Sequence, residues 1–453
     1  MTPRAGMITA GGVRQAAWLA GGLLLFGAAV AAETHQIRHF SQSDANVYRA
    51  AGAMARAHPG MIYSLRLGAP RVPFTYPPFT ALLFAAPSSL PFGYWQVALT
   101  TAGILLLPAI AYMSLGLAGH AHGAGRAAGA LALAAAGLWL EPVQMTLAFG
   151  QVNLFLLTLI IADFATPGGW RLKGAGIGIA AGIKLVPLIF IPYLLITGRR
   201  RAAVVATATF AATVAVGFAF LPAASLSYWS GKIAKPGDGP QRLVNQSING
   251  LVQRSMHGGA PALAVWAAAA LLVCAAGLAT AVSASRRGHD LLGIVVCGAT
   301  GLLASPISWT HHWVWVVPGL ALGASRASRP EPGPGPRAWR GPAAGAAIVI
   351  GLFGMWPARS GPNGYYDPRL AFFPRGLLRY APHNYGLEYR WRGMELVLGN
   401  YYVLAAIVFV AATACWLAVT RHHHPPDPAL THDCAPVNPS HIPIYRGLGD
   451  FSS

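Results

Sequence analysis

AWLAGGLLLFGAAVAA, residues Ala17 to Ala32, contains no charged side chain, and several runs like it recur through the chain. A helix needs roughly 20 consecutive apolar residues to cross a bilayer, so this run and its flanks read as a membrane span. Arg4 and Arg14 precede it and small residues close it, which is also the layout of a secretory signal. The length of the run and the further apolar runs behind it favour an uncleaved first helix. Either reading delivers Glu33 to the far side of the membrane. Working outward, 55% of the 453 residues are hydrophobic and 10% are charged, against about a quarter charged in soluble domains. The fold class is therefore an all-α polytopic membrane protein. The runs are continuous, whereas the strands of a membrane barrel alternate.

The chain has 32 basic and 13 acidic residues, a net charge of +19. In a soluble protein that balance would suggest nucleic acid. Here the arginines gather between apolar runs, where they hold loops in the cytoplasm, and no nucleic-acid partner is expected. The four cysteines, Cys274, Cys297, Cys415 and Cys434, show no CxxC spacing, so neither a zinc site nor a disulfide framework is implied. The run His422–His424 is a poor ligand set on a tail, and no metal or other cofactor is expected.

Four basic groups set the topology: Arg199–Arg201, Arg286–Arg287, the Pro/Gly-rich loop 326–341 with Arg326, Arg329, Arg337 and Arg340, and Arg421. Placing all four in the cytoplasm makes the segments 33–78, 223–260, Ser305 to Thr310 and 359–393 external. Spans are then expected near 202–222, 261–283, 290–304, 308–325, 342–357 and 394–419. Between Phe79 and Arg199 two layouts satisfy the parity. Five simple crossings would leave Arg171 and Lys173 outside. Alternatively, 79–90 dips from the outer face and 174–197 breaks into two half-helices at Lys184 to Pro187, since proline removes a helix hydrogen bond and broken helices can line a protein cavity. The second is favoured, giving roughly ten to twelve spanning or re-entrant helices in one domain, residues 1–420, with 421–453 as a disordered cytoplasmic tail.

Candidate chemistry lies on the external side. Residues 43–57 read as an amphipathic helix with Val47, Ala51 and Met54 on one face, lying along the membrane surface. Asp44 near its start suits a helix cap, and equally a base that takes a hydroxyl proton. RVPFTYPPF, Arg71 to Phe79, is held extended by its prolines and would form an entry loop or a rigid cleft wall. EPVQMTLAFGQVN, Glu141 to Asn153, sets polar groups in apolar surroundings, where they must be paired or hydrated. They serve inter-helix bonding or a sugar cavity. Lys184, in GIAAGIKLVP, either snorkels to an interface or holds a lipid phosphate. Asn245 and Gln246 of VNQSING, with Arg254, suit a phosphate, a sugar or a plain solvated loop. SPISWTHHWVW, Ser305 to Trp315, begins a span with Trp309 and Trp313 on one helical face. His311 and His312 are about 100° apart on a helix, so one of them faces the cavity. Interface anchoring and phosphate or proton handling are both open to them. The arginines of 359–393, against Asp367 and Glu388, suggest an anionic lipid headgroup or internal ion pairs.

DANVY, PFTYPPF, EPVQMTLAFGQVN, GIAAGIKLVP, NQS and SPISWTHHWVW occur in this order, and with them residues 40–320 resemble actinobacterial glycosyltransferase family 87. The likeness is greatest to the polyprenyl-phosphate-mannose-dependent α-1,2-mannosyltransferases of phosphatidylinositol mannoside synthesis. The resemblance implies a GT-C-type helical bundle with its site on the outer face of a bacterial plasma membrane. Asp44 is implied as general base. Tyr76, Gln151, Asn153, Lys184, Asn245, Gln246, His311 and His312 fall on the family's other motifs and, with Arg254, are expected to bind donor, acceptor or phosphate. The partners implied are membrane lipids, a polyprenyl-phosphate sugar donor and a glycolipid acceptor. Mannose would pass with inversion to a mannolipid or lipoglycan hydroxyl. Transfer of arabinofuranose or glucose, and a non-catalytic lipid transporter or flippase, are the alternatives.

Overall fold

The computed structural model describes residues 10–37, 42–67, 72–231, 239–327, 344–358 and 373–421. Arg4, Arg71, Arg329, Arg337, Arg340, Arg359, Asp367, Arg369, Cys434, His422–His424 and the expected tail lie outside these residues. The described chain is mainly helical, with two short antiparallel ribbons, Arg66–Leu67 with Val72–Pro73 and Trp356–Ala358 with Phe373–Arg375.

In chain order, α1 is Ala10–Ile37 and α2 is Ser43–Ala57, and α3, Pro78–Leu83, is a short helix after the proline segment. Then come α4 (Phe92–Leu117), α5 (Ala124–Leu138), α6 (Glu141–Phe149), α7 (Asn153–Ala165), α8 (Ala175–Ile183), α9 (Phe190–Ile196) and α10 (Arg200–Phe220). They are followed by α11 (Pro222–Ser230), α12 (Ile248–Met256), α13 (Gly259–Arg286), α14 (Asp290–Ala304), α15 (Val316–Ala327), α16 (Ala344–Phe353), α17 (Met394–Gly399) and α18 (Tyr401–Arg421). Among the described residues, five helices are long and apolar enough to cross a membrane: α1, α4, α10, α13 and α18. The pair α6 and α7 passes the same test together but bends by 120°, and five shorter apolar helices accompany them. The all-α polytopic class holds. Several expected spans are shorter or broken, because Gly, Pro and polar residues interrupt them.

The bundle has two chemically distinct ends. At one, Arg199 pairs with Asp290 at 2.6 Å, Ser285 Oγ donates to the same carboxylate oxygen, and Arg287 Nη1 reaches the Leu417 carbonyl at 2.5 Å. His120 meets Ser325 there at 3.0 Å, and the ends of α4 and α15 share a crevice with Asp290. Lys173 lies within electrostatic reach of Arg199 and Asp290, so it sits with the arginines. The layout with five simple crossings, which would set Lys173 opposite Arg199, does not hold. Instead α8 leaves that end, stops at Lys184, and the chain returns through a 3₁₀ turn, Val186–Ile189, and α9.

Close helix contact holds α8 in place. Gly174, Gly178 and Gly182 recur every four residues and face α10. A Cβ built on them would lie 2.1 Å from the Ala202 carbonyl, 2.5 Å from the Ala206 carbonyl and 2.3 Å from Thr213 Oγ1, respectively. Small residues at this spacing let helix backbones approach in an apolar medium, where packing rather than the hydrophobic effect drives association.

Two local expectations are corrected. The span expected from 308 begins at Val316. Residues 310–312 form a 3₁₀ turn and Trp309 is extended, so Trp309 and Trp313 do not share a helical face. The segment expected to dip as 79–90 is helical only over Pro78–Leu83 and as a 3₁₀ turn at Pro87–Ser89, because Pro87 interrupts it.

Candidate active site

At the end away from the arginines, α2 starts from a left-handed residue. Gln42 has φ 42°, its N–H donates to the Ala148 carbonyl at 3.0 Å, and its Nε2 donates to Thr100 Oγ1 at 2.6 Å. This pins the first turn of α2 to α4 and to the end of α6. Gly150 closes α6 with φ +65°, and a Cβ there would lie 2.6 Å from the Ala45 Cβ. Only a glycine therefore lets the Gly150–Gln151 turn press against α2.

That turn delivers Gln151 to Asp44. Gln151 Nε2 donates to Asp44 Oδ2, and Ser43 Oγ donates to Oδ1 at 3.1 Å. Asp44 is not a helix cap: the cap position is Gln42, and the Asp44 carboxylate turns to Gln151 rather than to the first amides of α2. The amphipathic reading of α2 holds, with Val47 and Ala51 buried and Met54 packed beside them. Asp44 is half-buried. Burial pushes its pKa above the ordinary carboxylate range, and the bonds from Gln151 and Ser43 and the charge of Lys184 pull the other way.

The proline segment forms a second wall. The Tyr76 hydroxyl lies 2.8 Å from that of Tyr48, and Tyr63 donates to the Tyr76 carbonyl at 2.8 Å. Thr80 Oγ1 donates to the Ile183 carbonyl at 2.9 Å, tying α3 to the last turn of α8. Lys184 follows in extended conformation and is freed from the helix by the break at Pro187. Its Nζ donates to Asn153 Oδ1 at 3.0 Å and lies 5.6 Å from the Tyr76 ring centre.

Asn153 then joins the third wall, because its Nδ2 donates to the His311 carbonyl at 2.8 Å and Thr146 Oγ1 donates to the same oxygen at 2.9 Å. Both histidines are buried, and His311 Nε2 and His312 Nδ1 have no hydrogen-bond partner among the described residues. His311 packs edge-on to Phe149 at 5.3 Å. His312 lines a crevice with Lys184 and Asn153, whose remaining lining, including Leu157, Ile160, Phe190, Leu302 and Trp315, is apolar. Of the two, His312 is thus the one facing this crevice. Among the described residues no three His, Cys, Asp or Glu side chains gather as a metal site.

Asp44, Tyr76, Gln151, Asn153, Lys184, His311 and His312 are therefore brought together. Asn245, Gln246 and Arg254 stand behind the histidine turn instead. Asn245 Oδ1 accepts from the Ser308 N–H at 2.9 Å, the Gln246 N–H donates to the Ser308 carbonyl at 2.7 Å, and Gln246 Nε2 donates to the Gly399 carbonyl at 2.8 Å. Arg254 is 2% exposed. Its Nε and Nη2 donate to Asn400 Oδ1 at 3.1 and 2.5 Å, and its Nη1 donates to the Arg242 and Asn245 carbonyls, each at 2.9 Å. Burial lowers its pKa to about 9, against the opposing charge of Glu388. Its hydrogen bonds fasten the 239–257 segment to the junction of α17 and α18. One group had no assigned role in the sequence reading: Tyr48, though its place four residues after Asp44 puts both on one helix face. The buried Glu141 accepts from the Tyr402 hydroxyl, an inter-helix bond of the kind expected as one of two alternatives for its stretch, with a partner too distant in sequence to foresee.

The model of glycosyltransferase family 87 matches residues 74–306. This chain belongs to glycosyltransferase family 87. The matched segment holds Tyr76, Gln151, Asn153 and Lys184, while Asp44 and the two histidines flank it. A polyprenol-phosphate-mannose-dependent α-(1-2)-phosphatidylinositol mannoside mannosyltransferase of Mycobacterium tuberculosis (strain ATCC 25618 / H37Rv) is 33% identical over 278 residues, covering 58% of this chain and 64% of that protein. A polyprenol-phosphate-mannose-dependent α-(1-2)-phosphatidylinositol pentamannoside mannosyltransferase of Mycobacterium tuberculosis (strain CDC 1551 / Oshkosh) is 35% identical over 301 residues, covering 64% of this chain and 68% of that protein. The match thus spans less than two thirds of the first relative. No solved structure matches the chain.

Proposed function

We propose that this family 87 protein is an integral membrane mannosyltransferase that uses polyprenyl-phosphate-mannose and glycosylates a mannolipid or lipoglycan hydroxyl in α-1,2 linkage. The observation that carries the reading is the pairing of two features at one place. A half-buried carboxylate, Asp44, is held by Gln151, and beside it lies an apolar crevice whose polar lining is Lys184, Asn153 and His312. A lipid-linked sugar phosphate has the matching parts: a hydrocarbon tail, an anionic phosphate and a reactive sugar.

In this reading the tail lies in the crevice and the phosphate meets Lys184 and His312. Asp44 takes the proton of the acceptor hydroxyl as its oxygen attacks the anomeric carbon. The bond from that carbon to the phosphate oxygen breaks, the polyprenyl phosphate leaves with the electron pair, and one displacement inverts β to α. Lys184 counters the charge that grows on the leaving phosphate, and such electrostatic help acts only as that charge develops. The arginine-rich end of the bundle is cytoplasmic by the charge rule, which puts the site on the extracytoplasmic face of a single membrane domain, residues 1–420, and the carboxy-terminal tail inside.

The test is transfer of mannose by membranes carrying Asp44→Asn. Loss of roughly 10²- to 10⁴-fold is expected for removal of a general base. Undiminished transfer by a well-expressed variant would sink the assignment. Competition of polyprenyl-phosphate-linked mannose, arabinofuranose and glucose for the purified protein identifies the donor sugar.

A further inference from the structure

We infer that Gln151, clamped by Tyr48 and Tyr76, is a positioning residue that fixes the orientation of the Asp44 carboxylate toward the acceptor hydroxyl. The inference rests on the proposed role of Asp44 as base and goes beyond it, because Gln151 then acts through Asp44 rather than by holding donor or phosphate.

The geometry begins at the amide. Gln151 Oε1 lies 2.6 Å from the Tyr48 hydroxyl and 3.1 Å from the Tyr76 hydroxyl, and Nε2 faces Asp44 Oδ2. An amide has one accepting end and one donating end. Flipping it would set its oxygen against an ionised carboxylate, acceptor against acceptor. The hydroxyl pair at Oε1 therefore selects the orientation that aims the N–H at Asp44. The Tyr48 O–H reaches both Oε1 and the Tyr76 oxygen, and the Tyr76 O–H reaches Oε1, so whichever way Tyr48 donates, a hydroxyl proton meets Oε1. Burial pushes both tyrosines above their ordinary range, so each keeps the proton it donates. Tyr48 is fully buried and stacks on Phe84 at 5.1 Å, so the clamp cannot swing.

Among the described residues, the second carboxylate oxygen, Oδ1, accepts only from the neighbouring Ser43 hydroxyl. With Oδ2 engaged by Gln151, Oδ1 is the oxygen positioned to take a substrate proton. The titratable groups facing Asp44 are Tyr48 on its own helix, Tyr76 on the proline segment and Lys184 at the break after α8. Gln151 is uncharged, so substituting it changes the bonding of Asp44 without removing one of these charges.

The experiment compares full-length wild type, Gln151→Leu and Gln151→Glu, purified in detergent, with synthetic polyprenyl-phosphate-mannose and a phosphatidylinositol mannoside acceptor. Both kcat and donor KM are followed against pH, with thermal unfolding as the folding control. Leucine removes an N–H that favours charged Asp44, so the acidic limb moves to higher pH. Glutamate sets a second carboxyl against Asp44 and moves the limb further. The kcat of Gln151→Leu should fall about 10- to 100-fold, the scale of a misplaced catalytic group, with donor KM held within about threefold. A residue that merely supports the fold would lower the amplitude without ordering the limbs. If the leucine variant does not fold, the Tyr48→Phe/Tyr76→Phe double variant frees Oε1 and must move the limb in the same direction. Limbs that coincide with wild type, or a large rise in donor KM at unchanged kcat, overturn the inference. Transfer that survives Asp44→Asn overturns the base reading, a separate outcome.

Discussion

At Asp44 two influences oppose each other. Burial favours the neutral acid, while Gln151, Ser43 and the charge of Lys184 favour the carboxylate, and burial prevails. A base must be ionised, so transfer should fall as pH drops, along a limb lying above the ordinary aspartate value of about 3.9. The same shift fixes a sign for stability. The fold prefers protonated Asp44, so the contribution of this group is fully present below the ordinary value and is lost as pH rises through the raised one. Asp44→Asn should therefore raise the thermal midpoint at pH 7 while it cuts transfer, and the gain should shrink in acid. A midpoint that drops at pH 7 would contradict the burial argument. Lys184→Met tests the other half of the site. In the proposed role it should raise donor KM, because the cation holds the ground-state phosphate, and lower kcat, because that contact strengthens as charge grows in the transition state, and steady-state kinetics with varied donor will show it. Much of this site was legible beforehand, because external topology and motif order singled out Asp44, Tyr76, Gln151, Asn153, Lys184 and the histidines. The direction of the Asp44 side chain was not legible. A helix-start aspartate looks like a cap from sequence, and only the left-handed Gln42 and the tight turn at Gly150 turn it toward Gln151 instead.

At the scale of elements, the break after α8 was readable from Lys184 and Pro187, and α2 from its apolar face. The 120° bend between α6 and α7 was not foreseen. Hydropathy over Glu141–Ala165 averages across the Gly150–Val152 turn and reports an apolar stretch without its direction. The packing of α8 on α10 was readable in principle. Gly174, Gly178 and Gly182 stand at the four-residue spacing of close membrane helices, a periodicity that polar-residue searches pass over. Gly178→Ala should push the helices apart, because its Cβ would already lie 2.5 Å from a backbone oxygen of α10. Overpacking of this kind costs about 1–3 kcal/mol. Since α8 ends at Lys184, the shift should also raise donor KM. Gly168→Ala, at a position with nothing within 4 Å, serves as the control and should leave both the thermal midpoint and KM unchanged.

For the whole molecule, the separation of two chemically different ends carries the functional argument, since an external acceptor can be glycosylated only if Asp44 and Arg199 lie on opposite faces of the membrane. Continuous basic loops made that polarity visible in the sequence. Where they thinned out, between Phe79 and Arg199, parity alone allowed Lys173 on either side, and only its proximity to Arg199 and Asp290 decides. Single cysteines test this in a background with Cys274, Cys297, Cys415 and Cys434 replaced by serine. Trp170 and Tyr385 are 54% and 92% exposed and belong to opposite ends. Tyr385→Cys should react with a membrane-impermeant maleimide in intact cells. Trp170→Cys should react only after permeabilisation, because it stands three residues from Lys173 on the arginine side. Labelling of Trp170→Cys in intact cells would restore the layout of five simple crossings and separate Lys184 from the outer face. The crevice beside Asp44 could then no longer receive a donor on the side where the acceptor is glycosylated.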